Sequence, residues 1–301
     1  MDTLIIGCGF LGLRVAREIL KLDPSAEVVG ATRTDRRHPE LIAAGVKPIL
    51  IDVAETTAFD SIELPSQIVH CVGFDRSSGQ SQRSVMVDGM IGLSTRLKRD
   101  SWTGRFVHIS STGVYGQTDG SWVDEYSPTE PTTESGRACL DAELFVGMMG
   151  LNARMMDLRS RMSLGLQIHS VTIRLVGLYG PGRIIGLGGI TRGDPIHGEP
   201  ERWLNLIHVD DAARAVVAAL TIDDPRELYL ACDDRPVKRR EYYETLARRL
   251  GAPAPRFLPS NAVEPDKRVR NTLLREELGV IPKYPDFLAG LDDVLWDASG
   301  S

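Results

Sequence analysis

The sequence predicts an α/β protein built on a doubly wound parallel sheet with a smaller C-terminal lobe. Three observations predict it. Short apolar strand-like runs alternate with helix-like runs through the first two-thirds of the 301 residues, an order that builds a parallel sheet covered by helices on both faces. A Gly7-Cys8-Gly9-Phe10-Leu11-Gly12 turn joins the first strand to the first helix, with the spacing of a dinucleotide-binding turn. From Pro181 onward Gly and Pro become frequent and the alternation loosens.

Residues 4–7 form the first apolar run, and 10–22 carry Leu11, Val15, Ile19 and Leu22 at helical spacing before Asp23-Pro24 ends the helix. Residues 27–31 are a second strand, followed by a polar turn and a helix over 39–44. Residues 47–53 and 67–72 are the third and fourth strands. The stretch 85–98 is helical, with Val85, Met86, Met90, Leu93 and Leu97 on or near one face. A fifth strand over 105–110, a helix over 135–149 and a sixth strand over 170–175 complete the regular part. Beyond it, 203–207 is strand-like, 210–220 is a helix with Asp210 as N-cap, and 228–231 is a short strand. Residues 241–250, the Pro-rich 252–265 and 271–278 make a smaller helical lobe. The expected organisation is a Rossmann domain over 1–180 that also receives 205–232, with 181–204 and 233–301 forming the smaller substrate-binding lobe.

The hydrophobic fraction of 42% and charged fraction of 25% are those of an ordinary globular chain. A net charge of −6 argues against nucleic acid or an anionic membrane as the main partner. Arg36-Arg37 and Lys238-Arg239-Arg240 are local and read as solvated faces. Cys8, Cys71, Cys139 and Cys232 are scattered, with no metal-ligand spacing. Met1-Asp2-Thr3 runs directly into Leu4-Ile5-Ile6 without a basic region, so no signal peptide and a cytoplasmic location are expected. No run approaches the roughly 20 apolar residues of a membrane span.

In the glycine turn, Gly7 makes the tight bend, Gly9 lets backbone approach a pyrophosphate, and Gly12 lets helix pack close to strand. With Phe10 and Leu11 at the helix start, free N–H groups and the positive dipole end face the anion. An NAD site usually places an acid about 20 residues past the glycines. Here that region reads Ala31-Thr32-Arg33-Thr34, with no carboxylate until Asp35. Arg33 suits a 2′-phosphate, because its fork makes paired charge-assisted bonds. NADP is therefore favoured over NAD, held at this end by Thr32 and Arg33.

Further motifs follow in order: Asp52-Val53, Ile68-Val69-His70-Cys71-Val72-Gly73, Ser110-Ser111-Thr112-Gly113-Val114-Tyr115-Gly116, Arg174-Leu175-Val176-Gly177-Leu178-Tyr179-Gly180-Pro181-Gly182, and Asn205-Leu206-Ile207-His208-Val209-Asp210-Asp211. On these the chain resembles the extended short-chain dehydrogenase/reductase superfamily, in the branch of NAD(P)-dependent sugar epimerases and dehydratases. The resemblance implies that Asp52 and Val53 contact the adenine and that Cys71, Val72 and Gly73 lie along the cofactor. It also implies that Ser111 supplies a substrate-orienting hydroxyl. Members carry a proton-exchanging Tyr and, four residues on, a Lys. Here Leu140 and Glu143 set the register, placing Ser135 at the Tyr position and Cys139 at the Lys position. Arg137 points away from Cys139 on a helix. The departure resembles the atypical subgroup, which keeps the fold and lacks the dyad.

Ser111 and Tyr115 are then the candidate catalytic residues, with Tyr179 and His208 as further proton-transfer groups. For Tyr115 and Tyr179 the favoured reading is a hydrogen-bonded wall residue beside the cleft, for His208 a structural anchor, and for Cys139 an inert buried thiol. The expected function is an NADP-dependent oxidoreductase or isomerase of a small, oxygen-rich, sugar-like substrate with a non-standard acid/base group. The alternative is a non-catalytic NADP-binding sensor or scaffold. Glycine-rich 186–189 reads as a lid or an ordinary connection. A homodimer through 85–98 and 135–149 is expected from the superfamily, with Met148, Met149, Met155 and Met156 on an apolar face.

Overall fold

The computed structural model describes residues 2–55, 57–75, 78–154, 168–260, 262 and 264–299. Seven strands form one sheet: β1 (Thr3–Ile6), β2 (Val28–Thr32), β3 (Lys47–Leu50), β4 (Gln67–His70), β5 (Gly104–Ser111), β6 (Ile168–Leu175) and β7 (Leu228–Ala231). Their spatial order is β7-β6-β5-β4-β1-β2-β3, and every neighbouring pair is parallel. The order reverses between β1 and β4, so a crevice opens at their carboxyl ends. Ile6 lies level with both Ala31 and His70, which brings the ends of β1, β2 and β4 together there.

Alternate residues of each strand supply the two cores, as the period of two requires. Ile5, Val69, Val107 and Ile173 face α1 (Phe10–Leu22), where Leu13, Val15 and Ile19 are fully buried with Ala212 and Val216. Leu4, Ile6, Ile68 and Phe106 face the other side, packing with Met90, Leu93, Leu97 and Val146. Each fully buried aliphatic side chain contributes about 1.5–3 kcal/mol. The covering helices are α2 (His38–Ala43), α3 (Gly89–Arg99), α4 (Glu134–Arg154) and α5 (Val209–Thr221). A separate cluster of Ile190, Val237, Tyr242, Leu246, Phe287 and Leu291 joins α6 (Arg239–Leu250) to α7 (Phe287–Ser299).

Three local expectations are corrected. The helix expected from residue 85 begins as a π-helical turn, Ser84–Asp88, before α3. Gly89 lies so close to Val53 that a Cβ there would stand 2.8 Å from its carbonyl oxygen. The N-cap of α5 is His208, not Asp210: His208 has extended backbone and its side chain accepts the Asp210 N–H. Asp210 already lies in the first turn, where it pairs with Arg14 at 3.3 Å. The strand expected over 203–207 is two, Trp203–Leu204 and Leu206–His208. Between them the Asn205 amide donates to the Lys267 carbonyl and accepts the Val269 N–H. That holds the strand Lys267–Val269 beside Ser121–Val123, a pair with too few residues to show a sequence period.

Among the described residues no helix is long and apolar enough to cross a membrane. Ile91, Leu144 and Met148 are exposed on α3 and α4. Met155 and Met156, and the side chain of Met149, lie outside the described residues.

Candidate functional site

A cavity of about 760 Å³ runs across the carboxyl ends of the central strands. Its floor is the glycine turn, where Gly7, Cys8, Gly9, Phe10 and Leu11 line it. Gly7 has φ +80°, and a Cβ on it would stand 2.9 Å from the Cys71 backbone. Only glycine tolerates both that dihedral and that approach. Gly12 lies beneath the turn, outside the lining, where a Cβ would meet the Gly7 carbonyl oxygen at 2.9 Å. Above Gly9 the space is open: a Cβ would find nothing nearer than Arg37 Nη1 at 3.7 Å. The first bond of α1 runs from Leu13 N to Gly9 O, so the preceding N–H groups have no partner within the helix.

At one end Thr32, Arg33, Asp52 and Val53 line the cavity, with Cys71, Val72 and Gly73 along its middle. Arg33 donates to Asp75 at 2.8 Å, and Gln80 donates through one nitrogen to both Asp52 oxygens, at 3.0 and 2.8 Å. Burial pushes the Cys8 thiol up to about 12, with Arg37 opposing, and raises Cys71 as well.

At the far end Ser110, Ser111, Ser135, Cys139, Gln82 and Met86 line the wall. Ser111 Oγ accepts the Gly113 N–H at 3.0 Å, which leaves its own proton to donate outward. Ser135 Oγ accepts from Gln82 at 2.7 Å. Burial, reinforced by Glu143, pushes the Cys139 thiol up to about 11, with Ser110 and the Ser111 backbone opposing. Behind this wall the buried Arg174 makes three bonds to Glu143, the shortest 2.6 Å, and Ser110 donates to the same carboxylate.

Tyr115 does not reach the cavity, which corrects the expectation that it stands at the reacting end. It is fully buried, donates to the Asp124 carbonyl at 2.8 Å and accepts from Arg174 at 2.6 Å. Burial pushes its phenol up to about 12 despite that guanidinium. Tyr179 and His208 are also buried away from the lining, in edge-to-face contact at 5.4 Å. Residues 187–189 begin a short helix, Leu187–Arg192, capped by Gly186 in a left-handed conformation against Tyr243.

The structure adds residues that pattern reasoning missed. Arg37 lines the cavity rather than forming a solvated face, paired with Glu40 at 2.7 Å. Arg183 lines it from the segment after Tyr179, its guanidinium 5.6 Å from the Phe10 ring centroid. Asp75, Gln80 and Gln82 join from the segment after β4. No motif marks them, because their placement depends on how loops return over the crevice.

A family model described as "NAD dependent epimerase/dehydratase family" matches residues 3–231. Protein YeeZ of Escherichia coli (strain K12) is 31% identical over 184 residues, 60% of this chain, and the chain spans 59% of that relative's length. A solved structure of a functionally unknown conserved protein from Silicibacter pomeroyi is 25% identical, with TM-score 0.73 over 98% of each chain. A second, the dTDP-glucose 4,6-dehydratase DesIV from Streptomyces venezuelae with NAD and DAU bound, superposes with TM-score 0.81 at 21% identity. That match covers 100% of this chain and 98% of the other, and shows the fold.

Proposed function

This chain belongs to the NAD dependent epimerase/dehydratase family, and from that premise we propose that it is an NADP-dependent oxidoreductase or isomerase. Its substrate is a small, oxygen-rich, sugar-like molecule, handled with a non-standard acid/base group. The reading is carried by one cavity that joins the glycine turn and Arg33 to Ser111, Ser135 and Cys139. The nucleotide fits these residues: the open space above Gly9 is a cradle that any side chain would fill, and the start of α1 faces it with unpaired N–H groups and a positive dipole end.

The glycine turn would hold the pyrophosphate, Asp52 the adenine, and Arg33 beside Thr32 the 2′-phosphate. When bound, the nicotinamide supplies hydride-transfer chemistry. Ser111 orients a substrate oxygen with the proton left over from its bond to Gly113. Ser135 and Cys139 meet the substrate as neutral groups, since the thiol is held at about 11. Pairing of two copies through the faces bearing Ile91, Leu144 and Met148 belongs to the same proposal, and sedimentation velocity tests it.

Calorimetric titration with NADPH and NADH tests the cofactor. NADH binding as tightly as NADPH, or an Arg33→Ala variant with an unchanged ratio, sinks the NADP assignment. Turnover is tested with the loaded protein and a panel of nucleotide sugars and small carbonyl compounds. The second reading, a non-catalytic NADP-binding sensor or scaffold, is favoured by the neutral Ser135 and Cys139. It gains if no compound turns over and a protein partner is recovered in only one redox state of the nucleotide.

A further inference from the structure

We infer that Asp75 and Gln80 are built-in competitors for the adenosine end of the nucleotide, and that Asp75 holds down the preference for a 2′-phosphate. The inference rests on the nucleotide reading above. Both side chains line the cavity, and each bonds one of the two charged residues assigned to the adenosine moiety. Asp75 Oδ2 takes the Arg33 Nη2 donor at 2.8 Å. A 2′-phosphate offers the same guanidinium the same kind of ligand, an anionic oxygen with bidentate reach. It must also come to rest beside a like charge, which disfavours it.

Gln80 repeats the logic in neutral form. Its planar amide nitrogen donates to both oxygens of Asp52, and the exocyclic amine of adenine is a planar donor of the same type. Adenine binding at Asp52 therefore displaces the Gln80 amide. The Arg33–Asp75 pair is 38% and 49% exposed, so water and salt screen it, and it is weak enough to exchange. NADH uses Asp52 but presents no phosphate to Arg33. The two competitors thus act on different ligand sets: Gln80 on every adenosine ligand, and Asp75 on those with a 2′-phosphate.

The test is calorimetric titration of the wild-type, Asp75→Asn and Gln80→Ala proteins with four probes: NADPH, NADH, adenosine 2′,5′-bisphosphate and AMP. Removing the Asp75 charge is expected to tighten NADPH and the bisphosphate by roughly fivefold, the upper range for an exposed pair, with NADH and AMP unchanged. Gln80→Ala is expected to tighten all four by about threefold, the worth of a modest net hydrogen bond. Asp75→Ser, with urea midpoints for every variant, separates a changed site from a changed fold. If Asp75→Asn and Asp75→Ser leave NADPH unchanged or weaken it, Asp75 aligns Arg33 instead of competing, and the inference is overturned while the nucleotide reading stands. If none of the four probes binds any of the proteins, both fall together.

Discussion

At the end proposed for the adenosine the cavity wall carries Arg33, Arg37, Asp52 and Asp75, two basic and two acidic side chains at or near the surface. At the far end it carries Ser110, Ser111, Ser135, Cys139 and Met86, with the Glu143–Arg174 pair buried behind the wall. One end carries ionisable side chains held in exposed pairs, Arg33 with Asp75 and Arg37 with Glu40. The other presents neutral hydrogen-bonding groups backed by a buried ion pair. On the proposed function, recognition and chemistry are separated along one cavity, so changes at one end should leave the other nearly intact.

The largest way to break that separation is to strike the support behind the far end. Glu143→Leu leaves Arg174 buried without its carboxylate, and loss of one partner of such a pair costs about 3–5 kcal/mol. Urea denaturation should show that loss; a change under 1 kcal/mol would mean the pair does not hold the wall. Next is Gly7→Ala, which forces a side chain into φ +80° and against the Cys71 backbone. Strain of this kind costs about 1–3 kcal/mol, and calorimetry should show NADPH affinity falling by tenfold or more.

Arg33→Ala tests the adenosine end alone. NADPH should weaken roughly tenfold, the scale of one hydrogen bond to a charged group, with NADH changed by less than about twofold. An equal loss for both nucleotides would show that Arg33 serves the cavity's shape. The smallest effect concerns Cys139. Its thiol is raised from the ordinary 9.0 to about 11 in the folded protein. Its stabilising contribution is therefore fully present below about pH 9 and lost as pH climbs toward 11, where the unfolded chain ionises first. Cys139→Ala should flatten that part of the alkaline Tm profile relative to wild type. Iodoacetamide should modify Cys139 slowly at pH 7 to 8.

Much of the fold was legible because it is written in local periods. Runs of β-branched and apolar residues marked all seven strands of the sheet, and the spacing of Leu11, Val15 and Ile19 marked α1. The short pair at 121–123 and 267–269 was not, since each strand is three residues long and the second is held by Asn205 from far along the chain. Tyr115 shows the same limit in the site. Its motif placed it near the cavity, but which way the phenol turns is decided by Arg174 and the Asp124 carbonyl.

By itself the sequence determined the parallel sheet, the glycine turn and the motif residues along the crevice. Side-chain period, backbone freedom at Gly7 and the hydroxyl and thiol of Ser135 and Cys139 are all properties of single residues or short runs. Tertiary structure alone decided who meets whom: Arg33 with Asp75, Asp52 with Gln80, Glu143 with Arg174. Those partners are separated by 28 to 42 positions, and a charge placed by a remote loop leaves no local pattern. The physical reason is that ion pairs and cavity walls depend on distance in space, which the order of residues encodes only through the folded sheet.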